Sequence, residues 1–177
     1  MKKYLVLALC LLILTVGHAQ NYTEYFANKT LRVDYIFTGD ASCQNVCLDE
    51  LSVLPSWAGR HQHLAELPLQ GNGQIIMKDL ESGKTVYTTS FSSLFQEWLE
   101  TDEAKVVSKG FENTFLLPYP LRPVEIEITL LSPRKEVRTC LKHTVRPDDV
   151  LIHQKGTAHI TPHKYLLKSG ETDKCID

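Results

Sequence analysis

Apolar and polar residues alternate along much of the chain. Leu31, Val33, Tyr35 and Phe37 take every second position among Arg32, Asp34 and Ile36, a period of two that predicts a strand with four large apolar side chains on one face. Gly39-Asp40 ends that run. Gly71-Asn72-Gly73 opens a second one, Gln74 to Leu80, which Glu81-Ser82-Gly83-Lys84 reverses into the β-branched and aromatic run Thr85 to Phe91. A further hairpin pairs Val124 to Leu130 with Glu136 to Val145 across Ser132-Pro133-Arg134-Lys135. Its second strand sets Val137, Leu141 and Val145 on one face and Cys140 on the other, with Arg138 and Lys142. Helical spacing occurs once, where Leu94, Phe95, Trp98 and Leu99 share a face and Ser93 and Gln96 stand at capping-box separation. Leu54-Pro55-Ser56-Trp57-Ala58-Gly59-Arg60 and Leu117-Pro118-Tyr119-Pro120 read as proline-punctuated connections. Short strands joined in this way predict a mainly β fold, an antiparallel β-sandwich with a short helical insertion.

The first residues follow a different pattern. Met1-Lys2-Lys3 precedes the apolar run Leu5 to Val16, and Gly17-His18-Ala19 places small residues before a cut ahead of Gln20. Residues 1–19 are therefore expected to be a signal peptide and residues 20–177 one domain, secreted or periplasmic after cleavage near Ala19. The apolar run is shorter than the roughly 20 residues that span a bilayer, so the chain is not expected to cross a membrane. Cys10 lies within that run, behind Leu9 where lipoprotein processing would need a small residue, and reads as part of the leader. A domain of this length buries about two thirds of its unfolded surface without needing metal or disulfide support. The 19 basic and 21 acidic residues give a formal charge of −2, and loss of Lys2 and Lys3 takes it to −4. That balance excludes nucleic acid, whose binding is driven by lysine and arginine contacts to phosphates.

Export gives the cysteines a reading, since thiols tend to pair in an oxidising compartment. Cys43, Cys47, Cys140 and Cys175 allow three connectivities. The preferred one joins Cys43 to Cys47 around a small loop, and Cys140 to Cys175 to pin the C-terminal tail. Zinc at these cysteines would need a second short-spaced pair to match Cys43 and Cys47, and there is none.

Catalytic motifs fail on essential residues. A zinc peptidase places two histidines on a helix as His-Glu-x-x-His, and no histidine here precedes a glutamate. His63-Leu64-Ala65-Glu66-Leu67 begins like the inverted form but has Leu67 where the second ligand belongs. His61 and His63 would share one side of a strand as a solvated pair. His159 and His163, with His153 nearby, have helical spacing, but Pro162 works against a helix there and favours polar loop residues. His143 reads as a half-buried, hydrogen-bonded histidine. Gly83-Lys84-Thr85 lacks the earlier glycine of a phosphate loop, which would fall at Lys78, and there is no Gly-x-Ser-x-Gly elbow. Asp49-Glu50 and Asp148-Asp149 read as solvated loop carboxylates. Asn21 and Asn28 match the glycan-acceptor pattern, which matters only in a eukaryotic host. No catalytic residue, cofactor-binding residue or metal ligand is assigned.

The segments Leu31 to Gly39, Leu54 to Arg60, Leu67-Pro68-Leu69 with Gly71-Asn72-Gly73-Gln74, Ser90 to Trp98, Phe111 to Pro120, Val145 to His153 and Thr161 to Leu167 carry a resemblance together. In this order and at this spacing they resemble the N-terminal domain of the IgA-peptidase-type secreted zinc metallopeptidases of gut bacteria. The resemblance implies a β-sandwich ahead of a catalytic domain that holds the His-Glu-x-x-His zinc site. No position here matches that site, so zinc is expected only in the catalytic domain, which this chain lacks. The implied role is that of an exported non-catalytic accessory domain. Its implied partners are a metallopeptidase catalytic domain, which it positions or supports, or that enzyme's host protein substrate.

Two other readings compete. An autonomous secreted module could bind a host glycan or protein through Trp57 and Tyr119, if these aromatics are exposed in their proline-rich connections. A small zinc protein could be built from the C-terminal histidines.

Overall fold

The computed structural model describes residues 21–66, 70–155 and 164. The signal-peptide segment, Leu67-Pro68-Leu69, His159, His163 and Cys175 lie outside the described residues.

A single turn of helix, α1 (Tyr22–Tyr25), is capped by Asn21 and leads into β1 (Phe26–Gly39) and β2 (Gln44–Leu54). There follow β3 (Gly73–Asp79), β4 (Thr85–Phe91), the short helix α2 (Leu94–Trp98) and β5 (Lys109–Pro120). The series closes with β6 (Val124–Leu131), β7 (Val137–Val145) and the two-residue β8 (His153–Gln154). The strands form two four-stranded sheets, ordered β5-β1-β2-β8 and β4-β3-β6-β7. All pairings are antiparallel except β2 with β8, which is parallel over two residues.

The predicted alternation sets the core. Leu31, Val33, Tyr35 and Phe37 of β1 are at most 1% exposed, and they share one cluster with Ile75 and Met77 of β3 and Ile126, Ile128 and Leu130 of β6, all at 0%. β3 alternates buried and half-buried residues along its whole length. Both predicted hairpins form, with Ile75 opposite Thr89 and Ile128 opposite Leu141. The mainly β sandwich read from the sequence is thus the architecture of the molecule.

Gly39 closes the first hairpin with φ +133°, where a Cβ would stand 2.0 Å from the Cys43 carbonyl oxygen, so a side chain there would displace backbone. Asp40 Oδ1 completes the turn by accepting from the Ser42 and Cys43 amides at 2.8 and 3.0 Å. In α2, Ser93 Oγ accepts from the Gln96 amide, as capping-box spacing requires. The Gln96 side chain accepts from the Ser93 hydroxyl through Oε1 at 3.2 Å and donates through Nε2 to the carbonyls of Asn72 and Leu131, the latter at 3.2 Å. The helix is thereby tied to the start of β3 and the end of β6.

Several expectations are corrected. Cys43-x-x-x-Cys47 is no loop, because Cys47 lies within β2, and in extended chain residues four apart stand about 13 Å from each other, too far to bridge. Cys43 and Cys47 are free and exposed. Residues 117–120 are the end of β5, a strand at the edge of its sheet, where proline is tolerated because a missing N–H can face away from the ladder. Leu94 is 72% exposed, so only part of the expected helical face is buried. Val137 is 66% exposed because it starts β7 beyond a register shift at Leu130/Leu131, away from the core row.

Ile126→Ala removes a fully buried side chain from the meeting of the sheets and should cost about 2–5 kcal/mol. Val137→Ala should stay within roughly 0.5 kcal/mol. Urea denaturation of the two variants checks the contrast, and equal losses would contradict the placement of the core.

Candidate functional site

Among the described residues, no group of three or more His, Cys, Asp or Glu side chains could hold a metal ion. The histidines are dispersed. His61 packs on the Tyr22 ring at 4.3 Å, while His63 is exposed with Glu66 Oε2 3.2 Å from its Nδ1. Neither lies on a strand, so the shared side expected for the pair is not formed. His153 Nδ1 is 3.3 Å from Glu50 Oε1, and Lys155 holds the same oxygen at 2.9 Å. The Lys155 ammonium is the main reason that the Glu50 carboxyl lies below its ordinary range.

His143 is hydrogen-bonded and half-buried, as its place in β7 suggested. Its Nε2 is 2.6 Å from the Tyr35 hydroxyl, joining β7 of one sheet to β1 of the other. Its Nδ1 is buried without a hydrogen-bond partner. Burial lowers the imidazole to about 4 and raises the Tyr35 phenol well above its usual range. This pair is a neutral polar tie within the core.

The aromatics offered for partner contact lie differently from their expected exposure. Tyr119 is part of β5 at 9% exposure, and its hydroxyl donates to the Pro147 carbonyl at 2.8 Å. Trp57 is half-buried, packs edge-on against Tyr87 at 6.1 Å and donates from Nε1 to the Arg60 carbonyl at 3.1 Å. Cys140 is exposed on the outer face of β7, the face predicted for it, with no bridge to another described cysteine. Its suggested partner Cys175 is outside the described residues.

Among the described residues, two hollows lie at opposite ends of the sandwich. At one end, α2 and the β6–β7 turn line a cleft of ≈ 200 Å³ with Gln44, Asn72, Gln96, Glu100 and Arg138. At the other end, where β3 finishes opposite the start of β6, Asp79, Leu80, Glu81, Arg122 and Pro123 line a depression of ≈ 390 Å³. Arg122 and Lys84 stand over the Tyr25 ring at 5.0 and 5.4 Å, and Leu80 and Leu121 are 46% and 51% exposed. Sequence reasoning missed this group because its members come from two separate turns and from α1. The visible signal was limited to Leu121-Arg122-Pro123, a large apolar residue in a charged turn.

The fold defines a β-sandwich domain, with a hollow among the described loops at each end. The family model for the peptidase M64 N-terminus matches residues 21–142, and the chain belongs to that family, the N-terminal part of the IgA-peptidase-type peptidases. Its relatives are therefore peptidases. None of the curated proteins matches the chain.

Because His143 is held neutral, the unfolded chain takes up a proton near pH 6.5 that the native state accepts only near pH 4. Stability should therefore fall as pH drops across that window, by up to about 3 kcal/mol from this group, and level off above it. The difference in urea midpoint between pH 7 and pH 4.5, compared for the parent and His143→Phe, isolates the effect. An unchanged pH dependence in the variant would show that His143 is not the cause.

Proposed function

We propose that this chain is an exported, non-catalytic accessory domain of an M64 peptidase, which positions or supports that enzyme's catalytic domain or contacts its protein substrate. The observation that carries the reading is the family match across residues 21–142, which runs through both sheets from α1 into β7. Export follows from the leader, with cleavage near Ala19. Zinc, on this reading, belongs to the catalytic domain. A Cys140–Cys175 bridge would fasten the C-terminal tail to the outer face of β7. The autonomous glycan- or protein-binding alternative has less support, since it needed Trp57 and Tyr119 in the open and both pack inward.

Native and intact mass spectrometry of the protein secreted by its own host tests the reading. The expected result is peptidase sequence in the same species, as a longer covalent chain or a non-covalent complex. A species of residues 20–177 alone, with no peptidase polypeptide in its fraction, would overturn it. The same spectra, taken with and without reduction, should show the loss of two hydrogens for one bridge involving Cys140. A fully reduced mass would remove the tail bridge from the account.

A further inference from the structure

The turn Gly71-Asn72-Gly73 leads into β3 and contains the single Asn-Gly step of the chain. Such a step is chemically labile, because a residue without a side chain lets its amide nitrogen approach the asparagine Cγ closely. The packing requires glycine at position 73, where a Cβ would stand 2.2 Å from the Phe91 ring. Asn72 therefore keeps its reactive neighbour for as long as Phe91 keeps its place.

Reaction depends on the peptide plane between the two residues, which carries both the Asn72 carbonyl oxygen and the Gly73 nitrogen. Two donors hold that oxygen, the Leu131 amide at 2.7 Å and the Gln96 Nε2. On the other side of the Asn72 Cα, the Asn72 amide donates to the Phe91 carbonyl at 2.9 Å. Both backbone dihedrals of Asn72 are thus clamped, and Gly73 is buried between Phe91 of β4 and Leu130 of β6. The Asn72 side chain is free of this clamp. It lines the ≈ 200 Å³ cleft with Glu97 and Glu100, and among the described residues its amide has no hydrogen-bond partner. The electrophilic carbon faces a cleft while the nucleophilic nitrogen is fixed in the sheet. Gln96 is the part of the clamp most easily released, since it belongs to a helix of five residues and reaches the sheet through its side chain. Elements of this kind open locally at a lower cost than global unfolding.

We propose that Asn72 is a self-modification site gated by α2, which converts to aspartate or isoaspartate when Gln96 releases its carbonyl. The Gly73 nitrogen bonds to Asn72 Cγ and gives up its proton, and the side-chain nitrogen leaves as ammonia. Water then opens the cyclic imide at one carbonyl or the other. The chain is its own substrate and water is the co-reactant. In isoaspartate the main chain runs through the former side chain, so the carbonyl that Leu131 and Gln96 held becomes a free carboxylate outside the backbone. Either product adds a negative charge to a cleft already lined by Glu97 and Glu100, which disfavours the return of α2. A reacted chain carries a permanent mark of the opening, and this chemistry does not depend on the accessory role.

The test incubates the purified full chain at pH 8, folded and in urea, and follows conversion by peptide mass spectrometry with fragmentation that separates isoaspartate from aspartate. The parent should convert at Asn72 far faster in urea than folded. Gln96→Ala should raise the folded rate about tenfold, the factor that about 1.4 kcal/mol of lost hydrogen bonding makes in the opening equilibrium, and leave the rate in urea unchanged. Ser93→Ala removes the α2 cap and should raise the folded rate less. It decides the matter if Gln96→Ala loses the native circular dichroism spectrum. Asn72→Gln should not convert, and converted parent chains should lose exchange protection at the Leu131 amide. Equal rates folded and in urea, or a folded rate that neither loosening variant raises, would overturn the gate. Conversion at Asn45 or Asn113 in preference to Asn72 would overturn the site. Converted chains with a protected Leu131 amide would overturn the lasting effect on α2.

Discussion

The molecule is organised by the inner face of β1. This strand lies between β5 and β2, so its backbone is paired on both sides, and its alternate side chains enter the core at nearly zero exposure. Sheets bury only one face each, and the second sheet has a place to pack because β1 presents Leu31, Val33, Tyr35 and Phe37 in an unbroken row. The row contains one polar group, the Tyr35 hydroxyl. Its contact with His143 ties the facing sheet at a set position, and burial keeps the imidazole neutral. The outer face of the strand has a different chemistry, with Arg32, Asp34 and Thr114 joined in a hydrogen-bonded group. One strand therefore sets the register of its sheet and the position of the other.

An open sandwich has four edge strands, and each is protected by its own means. β4 is covered by the preceding segment, whose Leu64 carbonyl accepts from the Thr88 amide at 2.8 Å while Arg60 donates to the carbonyls of Leu64 and Thr88. β5 carries Pro118 and Pro120, which offer no N–H to an incoming strand. β8 is two residues long. β7 carries Arg138 and Lys142, and Lys142 reaches Glu127 of the neighbouring β6 at 2.8 Å. Residues that read as loop punctuation in the sequence thus have a structural task. The prolines of β5 and the Trp57–Arg60 segment look like connections because they protect edges.

That distinction also explains which elements were legible. β1 and β3 announce themselves by inward side chains at every second position, β4 by its β-branched and aromatic residues, and β6 and β7 by the turn that joins them. β2 does not. A bulge at Asp34/Tyr35 skips Asp49, so the inward positions change from Val46 and Leu48 before it to Leu51 and Val53 after it, and no single period survives. The helix was visible through Ser93 and Gln96, which do bond each other, but not the second set of bonds from Gln96 to Asn72 and Leu131, which are remote in sequence. The group around Asp79 was visible only through Leu121-Arg122-Pro123, since Asp79 and Arg122 are 43 positions apart and meet only when β3 pairs with β6.

The two ends of the sandwich are finished differently. Near α2, rings pack beneath the end, with Phe95, Trp98 and Phe111 in mutual contact at 5.5–6.0 Å and Phe91 against Phe115 at 4.5 Å, while Leu94 and Val106 stay exposed. The Gln96 amide there meets two strand carbonyls. At the Asp79 end, Tyr25 is covered by the charged ends of Arg122 and Lys84, two leucines stand half in solvent, and a buried carboxylate oxygen lacks a donor. A sequence under selection for a free-standing domain would gain stability from small changes here, such as a polar residue for Leu121 or a donor within reach of Asp79.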